Sequence, residues 1–169
     1  MTAARIRLDR MSETEYQQFT AIAIPDYADE KVRAGTWPRE EALDRARATF
    51  AQLLPAGVTS PDNHLFTVRD AAEDAAEGKG EAVGWLWFAL RGEPGRREAY
   101  LYNIVVHEPF RGRGYGRAAM LACATAAREH GANSVGLHVF GSNTVARKLY
   151  TSLGFAETGV LMSLPLDAA

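Results

Sequence analysis

The chain has 169 residues, 47% of them hydrophobic and 24% charged, the ordinary mix of a protein that buries one core, so a single domain over residues 1–169 is expected. A formal net charge of −2 argues against a general nucleic-acid binder. The longest apolar run, Trp85 to Leu90, is too short to span a bilayer, and Met1 to Arg10 lacks the apolar centre of a signal peptide, so no membrane partner is expected.

In chain order, Ala4 to Asp9 alternates apolar and polar residues and predicts a half-buried first strand. Ser12 and Glu15 form a capping box for a helix expected to run to about Ile22, before Pro25 interrupts it. Trp37-Pro38 starts a second helix, with Leu43, Ala46, Phe50, Leu53 and Leu54 at helical spacing and Pro55-Ala56-Gly57 as its stop. His64 to Val68 reads as a short strand, and Asp70 to Glu81, which has no apolar face, reads as a mobile hairpin loop. Ala82 to Leu90 is a strand that places Trp85 and Trp87 on one face. Arg91 to Glu98 turns the chain, and Ala99 to Val106 is the next strand.

After a glycine-rich loop, a helix runs to His130 and is closed by Gly131. On it, Cys123 shares a small-residue stripe with Ala119, Ala126 and Ala127 and reads as core. As the sole cysteine it forms no internal disulfide, so a cytoplasmic protein is expected. Ser134 to Phe140 is a strand, Asn143 to Leu153 a helix closed by Gly154, and Ala156 to Leu166 a closing strand or hairpin. The order is therefore strand, two helices, three strands, helix, strand, helix, strand, which is α/β.

The loop Arg111-Gly112-Arg113-Gly114-Tyr115-Gly116 carries the strongest chemical signal. Its three glycines leave backbone N–H groups unshielded and free to fold into a concave nest. The helix that follows adds unpaired N-terminal amides and partial positive charge. Arg111, Arg113 and Arg117 add fixed charge. This is a site for an anion with several oxygens, a pyrophosphate above all. The Walker pattern fails for want of a Lys-Ser/Thr pair, and the dinucleotide fingerprint fails because its third glycine position is Arg117. No His/Cys/Asp/Glu cluster has metal-ligand spacing, and no G-x-S-x-G elbow is present.

The loop fits R-x-x-G-x-G, and a second block, Asn143 to Phe155, matches N-x-x-A-x-x-L-Y-x-x-L-G-F at every fixed position. Together they resemble the GNAT superfamily of N-acetyltransferases, specifically from about Ala82 to Phe155. The resemblance implies a mixed, mostly antiparallel central sheet with a splayed strand pair, flanked by about four helices. It also implies acetyl-CoA as co-substrate, its pyrophosphate on Arg111 to Gly116, and an amine acceptor, either a small molecule or a peptide. A homodimer is compatible with it. The splay admits the pantetheine arm, with backbone of Ile104, Val105 and Val106 alongside and the oxyanion donor around Val105 or Val106.

Tyr150 matches the family's general acid; its phenol, with an ordinary pKa of about 10, is protonated at neutral pH. The alternative is an amphipathic tyrosine packed on the sheet. The carboxylate that many members carry before the glycine loop is missing from Leu101 to Val106. The glutamate used by the peptide N-terminal branch, five residues before the capping asparagine, falls at His138, which stands either as base or as a hydrogen-bonded structural residue. Glu98 and water are the other candidates. Asn143 both caps its helix and lies near the coenzyme A arm in the family. Tyr27, Trp37, Trp85 and Trp87 read either as an acceptor wall or as core. A non-catalytic acyl-CoA sensor is the competing class.

Overall fold

The computed structural model describes residues 4–71, 80–164 and 166, and the predicted loop over 72–79 lies outside them. The chain divides into two compact units, Met1–His138 and Val139–Ala169.

In the first unit, β1 (Ile6–Arg10), β2 (Asn63–Asp70), β3 (Ala82–Arg91), β4 (Arg97–Val106) and β5 (Ala132–Leu137) form one sheet in sequence order. The first three pairings are antiparallel and the last, β4 with β5, is parallel. The parallel pair is joined by α3 (Tyr115–Glu129), since parallel neighbours need a crossover.

The capping box opens α1 (Glu13–Arg33) as predicted: the Ser12 amide donates to Glu15 at 2.9 Å and the Glu15 amide donates to the Ser12 hydroxyl at 3.3 Å. The helix does not end near Ile22. It runs through Pro25, because the proline faces solvent while Phe19, Ala23 and Ala28 pin the buried face on both sides of it. One lost backbone bond is a local cost that this packing offsets. The second helix, α2 (Arg39–Leu53), has Pro38 at its N-cap and buries Ala42, Ala46 and Phe50, whereas Leu43 is exposed.

Strand alternation divides the core. On the α1 and α2 side, Phe19 meets Trp85 edge-on at 5.5 Å and Phe50 meets Trp87 at 5.5 Å. Both tryptophans are core, at 8% and 1% exposure, and form no acceptor wall. Their indole N–H groups are satisfied, Trp87 by Asn63 at 2.8 Å and Trp85 by Asn103 at 2.9 Å. Leu86 and Phe88 alternate onto the other side, where α3 buries Ala119, Met120, Cys123 and Ala127.

In the second unit, α4 (Thr144–Ser152) follows the predicted helix. The expected strand from Ala156 to Leu166 is not found: the described residues of that stretch carry no strand, and Leu161 is 96% exposed. A strand holds its shape through a ladder partner, and among the described residues this segment pairs with none.

Candidate active site

The strand that leads into the glycine loop continues past the last residue of its parallel partner. β4 pairs with β5 only from Arg97↔Ala132 to Leu101↔Leu137, whereas its pairing with β3 continues to Gly84↔Val106. At the point of departure β4 carries a bulge. Trp87 faces Asn103 and Phe88 faces Leu101, so Tyr102 is the extra residue. The bulge turns both Tyr102 and Asn103 toward the α1 side, where Tyr102 stacks on Trp87 at 4.5 Å.

Beyond the bulge, backbone alternation decides which peptides face the gap. The His107 amide donates to the Val83 carbonyl at 2.8 Å, so His107 points at β3, and Val105, two residues back, does the same. Ile104 and Val106 therefore turn their backbone groups away from β3. Arg111 confirms the direction for Val106, donating from Nε to its carbonyl at 3.0 Å. Of the two residues that sequence offered as oxyanion donor, Val106 faces the splay and Val105 is committed to the ladder.

The loop that follows has the conformation its glycines permit. Gly112 and Gly114 sit at φ 72° and 87°, in the left-handed region where a side chain is strained. Gly114 is the N-cap of α3 and supplies no side-chain cap, which leaves the first-turn amides for an external acceptor. Arg113 lies over Phe110 and Tyr115, with its guanidinium carbon 5.8 and 5.7 Å from the ring centres. Tyr115 is buried, and its hydroxyl donates to Asp70 at 3.0 Å, tying the start of α3 to the end of β2. Burial, then that carboxylate, push the phenol's pKa up. An open backbone cradle, an uncapped helix start and two arginines at its rim fit a pyrophosphate.

His138 follows β5 directly and is exposed. Sequence reasoning offered Glu98 as an alternative base, read as a turn residue, and did not name Tyr100; β4 begins at Arg97, so both lie in the strand. Glu98 and Tyr100 share one face of β4 with Tyr102, and the Glu98 carboxylate lies across Gly136, its Oε1 2.2 Å from where a Cβ would stand. The signal was the alternation Glu98, Tyr100, Tyr102, masked by reading Glu98 as a turn residue. Arg91 covers this row, 3.6 Å above Tyr100, and donates to the Tyr102 hydroxyl. His107 is held below the usual histidine range by burial and by Arg111.

Asn143 and Tyr150 belong to the second unit. The Asn143 side chain accepts from the Ala146 amide at 3.1 Å, which is the cap expected of it. Tyr150 packs on Phe155 with ring centres 5.6 Å apart. Among the described residues no group of three or more His, Cys, Asp or Glu is arranged to hold a metal, and no helix is long and apolar enough to cross a membrane.

Residues 17–155 match the acetyltransferase (GNAT) family model. The chain is 39% identical to the uncharacterized N-acetyltransferase YycN of Bacillus subtilis over 95% of this chain and 99% of that one. YdgE from the same organism, also named an N-acetyltransferase, is 30% identical over 92% and 94%. A mycothiol acetyltransferase of Propionibacterium freudenreichii is 28% identical over 89% of this chain but only 43% of its own. The crystal structure of YycN superposes with a TM-score of 0.86, covering 96% and 99% of the two chains. Fold, loop and family model agree, and the chain belongs to the GNAT family of N-acetyltransferases.

Proposed function

We propose that the protein moves the acetyl group of acetyl-CoA directly to a primary amine within one ternary complex, and the observation that carries this reading is the stretch of β4 that runs on beyond its pairing with β5 to an uncapped helix start. Arg111 to Gly116 would hold the pyrophosphate, and Ile104 and Val106 would pair with the pantetheine amides as a strand would. The thioester brings an activated acetyl carbon with a thiolate leaving group. A backbone N–H at Val106 aimed at the oxyanion costs no reorganisation and is worth ~3–4 kcal/mol. His138 accepts the proton of the attacking amine, and Tyr150 gives one to the departing sulfur. Asn143, beyond capping α4, lies along the coenzyme A arm. Direct transfer is supported by the state of the cysteine: Cys123 is fully buried and burial pushes its thiol up to about 12, so it is no activated nucleophile.

The test is thiol release from acetyl-CoA across a panel of small amines, antibiotics, amino acids and peptide N-termini. At least one class should react, and Tyr150→Phe should lower kcat with little change in cofactor affinity. Tight acetyl-CoA binding with no transfer to any class would favour a sensor instead.

A further inference from the structure

Arg91 ends β3, and Glu98 stands opposite it on β4, a register pair of opposite charge on one face of the sheet. Such a pair ordinarily closes on itself, and this one does not. Among the described residues Glu98 forms no hydrogen bond or ion pair, and Arg91 forms no ion pair. Both side chains turn instead toward the end of the ladder where β5 stops. Arg91 lays its guanidinium 3.6 Å above the Tyr100 ring and 5.0 Å from the centre of the Tyr102 ring, and donates to the Tyr102 hydroxyl. Glu98 reaches past its own β5 partner, Ser134, to lie over Gly136, whose rung with Tyr100 is the last but one. A Cβ at 136 would stand 2.6 Å from the Glu98 Cδ, so glycine alone leaves the carboxylate this seat. The tyrosines between the two charges are braced, Tyr102 by its stack on Trp87 at 4.5 Å and Tyr100 edge-on against Tyr102 at 5.1 Å. Arg91 is exposed and spends one nitrogen on Tyr102, so a guanidinium held flat keeps the rest of its donor fork toward solvent.

We infer that Arg91 and Glu98 are the two poles of the acceptor site, and that the acceptor is a small amine carrying a carboxylate in the same molecule. This rests on the acetyl-transfer reading above and names its substrate class. The amine belongs at Glu98 on charge, and that carboxylate leans toward the stretch of β4 proposed to line the pantetheine arm. The acceptor's carboxylate belongs at Arg91, because a stacked guanidinium offers parallel N–H groups to a planar anion. A diamine sets its second cation against Arg91, and an amino dicarboxylate sets its second anion against Glu98, so both are poor acceptors. The two poles bind and orient the acceptor and add no bond-making step to the transfer.

The probes are linear amino acids from glycine to 6-aminohexanoate, each paired with its own amide, which keeps the chain and removes the negative charge. Thiol release should give at least one acid a kcat/KM roughly ten- to a hundredfold above its amide. Arg91→Gln should raise KM for that acid roughly tenfold with kcat little changed, and should move the amide far less. Arg91→Lys should recover only part, as a point charge without the fork. Gly136→Ala displaces the Glu98 carboxylate at small cost to the fold, because the atoms met are the far end of a flexible side chain. It should raise KM for acid and amide alike, since both present the same amine. Ligand-detected NMR of the acid with protein saturated in coenzyme A reads binding apart from turnover. Equal kcat/KM for every acid and its amide, or an Arg91→Gln loss shared equally by the two, overturns the inference and leaves Arg91 as a brace for the tyrosines. So does an acid series that neither binds nor reacts. A wild type that binds the acid, and loses it in Arg91→Gln, yet transfers acetyl to no amine sinks the transfer reading and leaves the two poles standing.

Discussion

The indole N–H of Trp85 donates to the side-chain carbonyl of Asn103 at 2.9 Å, and this bond joins the buried core to the bulged end of β4. Trp85 lies on β3, in register with Val105, and is 8% exposed. Asn103 lies in a stretch, Leu101 to Val106, that carries no acid, and its side-chain carbonyl is occupied with a core tryptophan.

Asn103→Leu should therefore destabilise the fold by about 1–3 kcal/mol, since it leaves a largely buried indole donor without a partner. Urea denaturation measures this directly. A change under about 0.3 kcal/mol would mean that the bond holds nothing.

Gly84 pairs with Val106 at the end of β4, beyond the stretch paired with β5. A Cβ added there would stand 2.0 Å from the Val105 carbonyl oxygen and 3.2 Å from the Val106 Cα, both backbone atoms. Gly84→Ala must push β4 aside, at about 1–3 kcal/mol of overpacking. It should also weaken acetyl-CoA binding, because the displaced strand is the one proposed to line the pantetheine arm. Calorimetry and thermal unfolding of the same sample would separate the two effects, and unchanged binding would place the pantetheine elsewhere.

The parts legible in sequence were those with local causes. The capping box, the glycine loop and the Trp85/Trp87 alternation each follow from spacing, and each stands where it was expected. The length of α1 was not legible, because Pro25 reads as a stop until packing on both sides of it is known. The Tyr102 bulge was invisible for the same reason: one extra residue in a strand leaves the apolar pattern nearly intact while moving Asn103 to the other face. The segment from Ala156 reads as strand by composition, but a strand is a property of two segments.

His64 makes a pH prediction. Its ring stacks on Phe88 at 4.9 Å and on His130 at 4.0 Å. Burial first, then the neighbouring His130 and Arg10, hold its pKa at about 4 against an ordinary value of 6.5. The folded protein keeps the ring neutral where the unfolded chain protonates it. Stability from this group is thus full above pH 6.5 and declines as pH falls toward 4. His64→Phe keeps the stacking and removes the titration, so its melting temperature should fall less steeply than the wild type's across that window. Parallel curves would contradict the assignment.

Direct transfer predicts that acetyl-CoA alone leaves the protein unmodified. Intact-protein mass spectrometry should show no stoichiometric acetyl adduct, because the Cys123 thiol is buried and protonated. A hydroxylamine-sensitive adduct would require an acetyl-enzyme and a different mechanism.

The central claim, that the loop from Arg111 to Gly116 receives the pyrophosphate of acetyl-CoA, is tested most directly by calorimetric titration of acetyl-CoA into the wild type, Gly114→Ala and Gly114→Asp. Gly114 sits at φ 87° as the N-cap of α3, so alanine introduces backbone strain alone, while aspartate adds an anion where the phosphates belong. The account predicts binding to the wild type, a modest loss in Gly114→Ala and a much larger one in Gly114→Asp. No binding to the wild type, or equal affinity in the two variants, would contradict it.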